Sequence, residues 1–167
     1  MEEIENKVAK SGLITLDLEE QRPDWQIVGI DIAVALFEGL VLREKDFREF
    51  VAHHNWEAYR DKAVHIYCSA DAIVPTWAYM LMATQLADVA VKTIFGSESE
   101  LKLELWRDFI CSIDLSEYQD QRVIVKGCSD EAISESIYVE LSMLLTPVVK
   151  SLMFGEPCST VPLFKRK

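Results

Sequence analysis

The chain has 167 residues, 50% of them hydrophobic and 27% charged, with a formal net charge of −11. Such a chain is long enough for a single domain, residues 1–167, with a sizeable core. The acidity argues against general nucleic-acid binding, which needs clustered Lys and Arg, and no apolar run reaches the length of a membrane span.

Met1 to Asn6 is acidic and lacks the basic start and apolar middle of a signal peptide, so a cytosolic, cytoplasmic location is the default expectation. Ser11 to Leu18 alternates apolar and polar residues, as a half-buried strand does. Pro23 marks a turn, and Trp25 to Ile32 reads as the start of another strand. Ile32 to Leu42 is apolar enough for a buried helix. Glu44 to His54 carries Phe47, Phe50 and Val51 at helical spacing. Asn55 to Asp61 is a connector or short helical turn.

A more regular stretch follows. Ala63 to Cys68 reads as a strand, Pro75 to Ala87 as a helix and Val89 to Phe95 as a second strand. Ser97 or Ser99 caps a helix running to about Ile113. Arg122 to Lys126 is a third strand, and Ser134 to Phe154 reads as one long helix, bent at Pro147 and stopped by Gly155. This order predicts an α/β fold: a mostly parallel sheet in a three-layer arrangement, helices on both faces, and an N-terminal edge strand or hairpin. No linker, internal repeat or low-complexity segment is evident.

Four cysteines in a chain without an export signal are expected to be reduced, and no C-x-x-C spacing occurs. Cys68 and Cys128 each follow a predicted strand and precede a predicted helix. Ligands of open parallel sheets bind at the carboxyl ends of the strands, so both thiols are expected at that edge. Cys158 lies in the turn Gly155-Glu156-Pro157-Cys158 and is the third candidate ligand. Asp71, His54 or Asp130 would supply a fourth. Three thiolates and one further donor suit tetrahedral zinc, and equally an iron–sulfur cluster with one non-cysteine position.

Plainer readings account for the same residues. Cys68 closes a core strand while Asp71 or Thr76 caps the next helix; Cys128 sits in an ordinary turn; Cys158 lies on a surface tail. His53 and His54 end a helix, where an imidazolium interacts favourably with the helix dipole, and His65 is a satisfied core histidine. Cys111 falls in an apolar stripe and reads as core.

The strings Glu5-Asn6-Lys7-Val8-Ala9, Leu42 to Arg48, Cys68-Ser69-Ala70-Asp71-Ala72-Ile73-Val74-Pro75-Thr76-Trp77-Ala78-Tyr79, Val125 to Cys128 and Gly155 to Pro162 resemble a bacterial family of proteins of unknown function, domain of unknown function 2480. The resemblance covers nearly the whole chain. It implies a small cytosolic bacterial protein, often encoded near iron–sulfur cluster assembly genes, with no established activity.

Three functions are therefore carried forward. The first is a metal- or iron–sulfur-binding accessory protein with Cys68, Cys128 and Cys158 as ligands, partnering iron–sulfur assembly proteins. The second is a thiol enzyme or persulfide carrier using Cys68 as nucleophile. The third is a non-catalytic partner-binding protein.

Overall fold

Two mostly parallel sheets, rather than one, organise the chain. The structure is a computed structural model that describes residues 12–126, 133–156 and 158–167. In chain order the elements are β1 (Leu13–Leu16), α1 (Leu18–Gln21), β2 (Ile27–Asp31), α2 (Glu44–His53), β3 (Ala63–Tyr67) and α3 (Thr76–Leu86). They continue with β4 (Lys92–Phe95), α4 (Glu98–Ser112), β5 (Arg122–Val125), α5 (Glu135–Leu145), β6 (Ser151–Glu156) and β7 (Ser159–Lys165). Short 3-10 turns occupy Ile32–Ala35, Trp56–Tyr59 and Leu115–Tyr118.

One sheet has the order β2-β3-β4, all parallel. The other has the order β1-β5-β6-β7, parallel except for the final antiparallel pair, with β1 as its edge strand. The fold is thus α/β and mostly parallel. The expected strands after which Cys68 and Cys128 follow, β3 and β5, belong to different sheets.

The chain divides into two compact units. Asp24–Leu105 forms an inserted unit around β2-β3-β4. The preceding strand and Trp106–Lys167 form a split unit around the four-stranded sheet.

Strand alternation sorts the inserted unit's core into two layers. Ile30, Val64 and Ile66 pack on one face against Phe47 and Val51 of α2 and Ala78, Met82 and Leu86 of α3. Ala63 points to the opposite face, where Leu101 and Leu105 of α4 cover it together with Trp25, Ile27 and Ile94. This sheet therefore has helices on both faces. Ser97 and Glu100 open α4 with a reciprocal capping box: Glu100 N–H donates to Ser97 Oγ at 3.2 Å, and Ser97 N–H donates to the Glu100 carboxylate at 2.7 Å. In the split unit, Leu16, Val123, Val125 and Leu152 on the strands, Ile110 on α4 and Ile137, Leu141 and Leu145 on α5 are buried.

The two units repeat one another. Thr76–Leu86 and Glu135–Leu145 are the same helix 59 residues on, as are the 3-10 turns Trp56–Tyr59 and Leu115–Tyr118. The helix end His53 corresponds in this way to Ser112, the strand start Ala63 to Arg122, and Lys92 to Ser151. The register carries into detail. Asp61 and Asp120 both adopt positive φ, as do Gly96 and Gly155. The edge strands repeat at a shorter spacing: Leu13 pairs with Arg122 as Ile27 pairs with Ala63. Leu13-Ile14-Thr15-Leu16-Asp17-Leu18 accordingly matches Ile27-Val28-Gly29-Ile30-Asp31-Ile32. The expectation of no internal repeat is corrected by these equivalences.

Two predicted helices also differ. Ile32 to Leu42 is a 3-10 turn followed by a tight reversal, because Glu38 and Gly39 both take positive φ and Phe37 N–H bonds to the Val41 carbonyl at 2.8 Å. The long helix from Ser134 ends at Leu145, and Ser151–Glu156 is strand β6. The N–H groups of Val148 and Val149 both turn back to the Leu145 carbonyl, closing the helix around Pro147. Gly155 lies in that strand with φ 123°, and a Cβ there would meet the Ser159 carbonyl oxygen at 2.5 Å.

Candidate functional site

The carboxyl edge of the three-stranded sheet gathers Asp31, Cys68, Ser69 and Tyr79. Asp31 ends β2, and Cys68 and Ser69 follow β3, so parallel pairing brings them to one edge. Asp31 Oδ1 accepts from Ala33 N–H at 2.9 Å and from Ser69 N–H at 3.0 Å, while Oδ2 accepts from the Ser69 hydroxyl at 2.5 Å. Burial raises the Asp31 carboxyl, but these hydrogen bonds outweigh it and hold the group below its ordinary value. Cys68 is half-buried, and its thiol donates to the Ala70 carbonyl at 3.4 Å. Burial first, then the proximity of Cys68 and Asp31, pushes the Tyr79 phenol above its usual range.

The equivalent edge of the split unit has Asp17 in place of Asp31. Its carboxylate caps α1 through Glu19 and Glu20 N–H and accepts from Lys126 Nζ at 2.5 Å. Burial raises the Asp17 carboxyl, and the hydrogen bonds from Lys126, Glu20 and Glu19 bring it to a net value below the ordinary one. Both aspartates thus fasten an edge strand's exit to the loop after the neighbouring strand. That recurring role is architectural.

The expected metal ligands are distributed as follows. Cys68 lies at the predicted strand edge of the inserted unit, and Asp71 in the following loop is exposed. His54 belongs to the same unit but packs among Phe50, Trp56 and Tyr59, with Nε2 2.9 Å from the Tyr59 hydroxyl. Burial holds its imidazole below the ordinary value. Cys158 is exposed between β6 and β7, in the split unit. Cys128 and Asp130 lie outside the described residues. Among the described residues no group of three His, Cys, Asp or Glu side chains could hold a metal ion. Cys111, expected in the core, is exposed, because α4 turns the adjacent Ile110 inward instead. His65 is half-buried with Nδ1 3.2 Å from the Gly96 carbonyl oxygen, and its ring stacks on Tyr67.

Beside Tyr79 the surface opens into an apolar hollow of about 520 Å³, lined by Ile66, Thr76, Tyr79, Met80, Ala83 and Phe95 among others. The split unit carries its counterpart, a hollow of about 490 Å³ lined by Val125, Glu135, Tyr138, Val139, Ser142 and Phe154, with Leu163 and Met143. The six residues named first in each are equivalent by the repeat. Each hollow has a tyrosine on its helix against a phenylalanine on its strand: Tyr79–Phe95 centroids are 4.7 Å apart and Tyr138–Phe154 centroids 5.5 Å. Met80 and Val139 at the rims are 64% and 63% exposed. Local pattern does not reveal these residues. Aligning Val89-Ala90-Val91-Lys92-Thr93-Ile94-Phe95-Gly96 with Val148-Val149-Lys150-Ser151-Leu152-Met153-Phe154-Gly155 does.

No helix among the described residues is long and apolar enough to cross a membrane. A family model described as protein of unknown function, DUF2480, matches residues 2–166, so the chain belongs to that family. No curated protein and no solved structure matches it.

Proposed function

We propose that this member of a family of unknown function is a non-catalytic partner-binding protein, whose two hollows receive apolar side chains of a partner protein. The observation that supports this is the recurrence of exposed apolar residues at equivalent places. Core positions recur because each unit must fill its own interior. Met80 and Val139 fill no interior, yet both units keep an apolar residue there over a Tyr–Phe pair. Apolar surface gathered in a concave site is the usual mark of an interaction site.

A photo-crosslinking amino acid placed at Met80 or at Val139 tests this in cells. A discrete crosslinked partner is expected from each position, and it disappears when Phe95→Asp or Phe154→Asp is added in the same hollow. Crosslinking no greater than from exposed Glu57 overturns the reading.

A second reading is supported by the place of Cys68 at the carboxyl edge beside Asp31 and Tyr79. There Cys68 serves as a thiol nucleophile, or with Cys128 and Cys158 as a ligand for zinc or an iron–sulfur cluster in an accessory protein of cluster assembly. Metal analysis after anaerobic purification separates these: neither iron nor zinc in the full chain leaves only the thiol form. Alkylation of Cys68 no faster than that of an unstructured thiol removes that form as well.

A further inference from the structure

On a chain of net charge −11, the split unit carries a groove lined by three cations. The groove holds about 470 Å³ between Arg122, Lys150, Ser151, Met153, Phe164 and Lys165. Leu13, Arg122, Ser151 and Lys165 form one cross-strand row through β1, β5, β6 and β7. Residues paired in this way project from the same side of a sheet, with neighbouring strands about 4.8 Å apart. Arg122, Lys150 and Lys165 are all exposed, and none has an ion-pair partner among the described residues. Arg166, the next residue, is already engaged by Asp120 at 2.6 Å and by the Pro147 carbonyl at 2.7 Å.

The repeat says what belongs on such a face. Arg122 is the counterpart of Ala63 and Met153 of Ile94, and in the inserted unit those residues lie under the first half of α4. That half is an acidic amphipathic helix. Leu101 and Leu105 are buried against the sheet, Glu98 and Glu100 lie in its first turn, and Glu104 reaches Lys92 Nζ at 3.7 Å. Among the described residues no helix follows β6, which leads into β7 instead; Ile124 is buried on this face, and the groove lies beside it around Arg122 and Met153. Where Ala63 meets leucines, Arg122 now stands beside Lys150 and Lys165, with Met153 and its cross-strand partner Pro162 on the same side.

We infer that this groove docks an acidic amphipathic helix of a partner protein, in the manner in which the inserted unit docks the first half of α4. Apolar residues spaced by four rest on Met153 and its cross-strand partner Pro162, and flanking carboxylates meet the three cations. Exposed to solvent at such a rim, these charges set association rate and selectivity. The net charge of −11 works against a polyanionic nucleic acid in the same groove.

The probe is a fluorescein-labelled peptide with the sequence of Ser97 to Ile110, titrated with the full chain by anisotropy. Saturable binding is expected. It weakens about tenfold or more in Arg122→Glu/Lys150→Glu, weakens with added salt, and is unchanged in Lys45→Glu, a charge reversal at an exposed position of α2 in the other unit. Lys150→Glu/Lys165→Glu is the second variant should the first fail to fold. Equal binding of a scrambled peptide, or unchanged affinity in the folded charge-reversal variant, overturns the proposal. So does tighter binding by a chain lacking residues 2–11, which would assign the groove to the protein's own acidic start. Tighter binding of a labelled single-stranded RNA would likewise overturn it.

Discussion

Asp61 and Asp120 lie 59 residues apart, hold φ of 60° and 56°, and donate their N–H groups to the carbonyls of Val89 and Val148 at the same 3.0 Å. Each turns the chain into the strand at the centre of its unit's helix–strand succession. A left-handed backbone disfavours any residue with a Cβ, and Asp tolerates it better than most.

Glycine at either position is therefore expected to preserve or slightly raise the unfolding temperature. Asp61→Val should cost about 1–2 kcal/mol through left-handed strain. Asp120→Gly also releases the exposed pair with Arg166, which is worth at most about 1 kcal/mol, so its gain should be the smaller. Thermal melts of the three variants check this. A stabilising Asp61→Val would contradict the assigned geometry.

Asp31→Ala removes the acceptor for three donors, two of them in the loop after Cys68, and is expected to cost about 1–3 kcal/mol at neutral pH. The carboxyl is held below its ordinary value of 3.8, so its charge stabilises the fold above that value. That contribution disappears as pH falls through the lowered folded value. Urea titrations should show a constant gap between wild type and variant at neutral pH, closing only in strong acid.

The His54 imidazole has the opposite charge type and the same acid sensitivity. Burial lowers its folded value below the ordinary 6.5, so the unfolded chain binds the proton more readily. Stability on this account is full above 6.5 and declines as pH falls below it. His54→Phe, which keeps a ring against Phe50 and Trp56, should flatten the melting temperature between mildly acid and neutral pH. An unchanged slope would place the acid sensitivity elsewhere.

Accessibility orders the described thiols. Cys111 and Cys158 are exposed and Cys68 is half-buried with its Sγ bonded to Ala70. Alkylation followed by peptide mapping should modify the two exposed cysteines first in the native chain, and all at one rate in denaturant. Faster modification of Cys68 would reveal an activated thiolate.

The strands at Leu13, Ala63 and Arg122 were legible because apolar residues run between clear turns, and Phe47, Phe50 and Val51 fixed α2 by spacing. Residues 134–154 were not, because a helix core of Ile137, Leu141 and Leu145 runs into an equally apolar strand with only Pro147 between. Placing Cys68 at a strand's carboxyl end needed only local order. The hollows needed more: Met80 and Met82 share one helix, yet one is 64% exposed and the other fully buried, and pattern alone does not tell a rim from a core. The division into two sheets depends on which strands pair across long separations, which no window of sequence contains.

The pairing of Leu13 with Arg122 also sets an order in time. During synthesis the inserted unit has β2, β3 and β4 available within one uninterrupted stretch of chain. Strand β1 emerges first yet has no partner until β5 is made, so it must wait through the whole of the inserted unit. A chain ending before residue 122 would therefore leave Leu13–Leu16 as an unpaired apolar strand, a form open to chaperones and to misassembly.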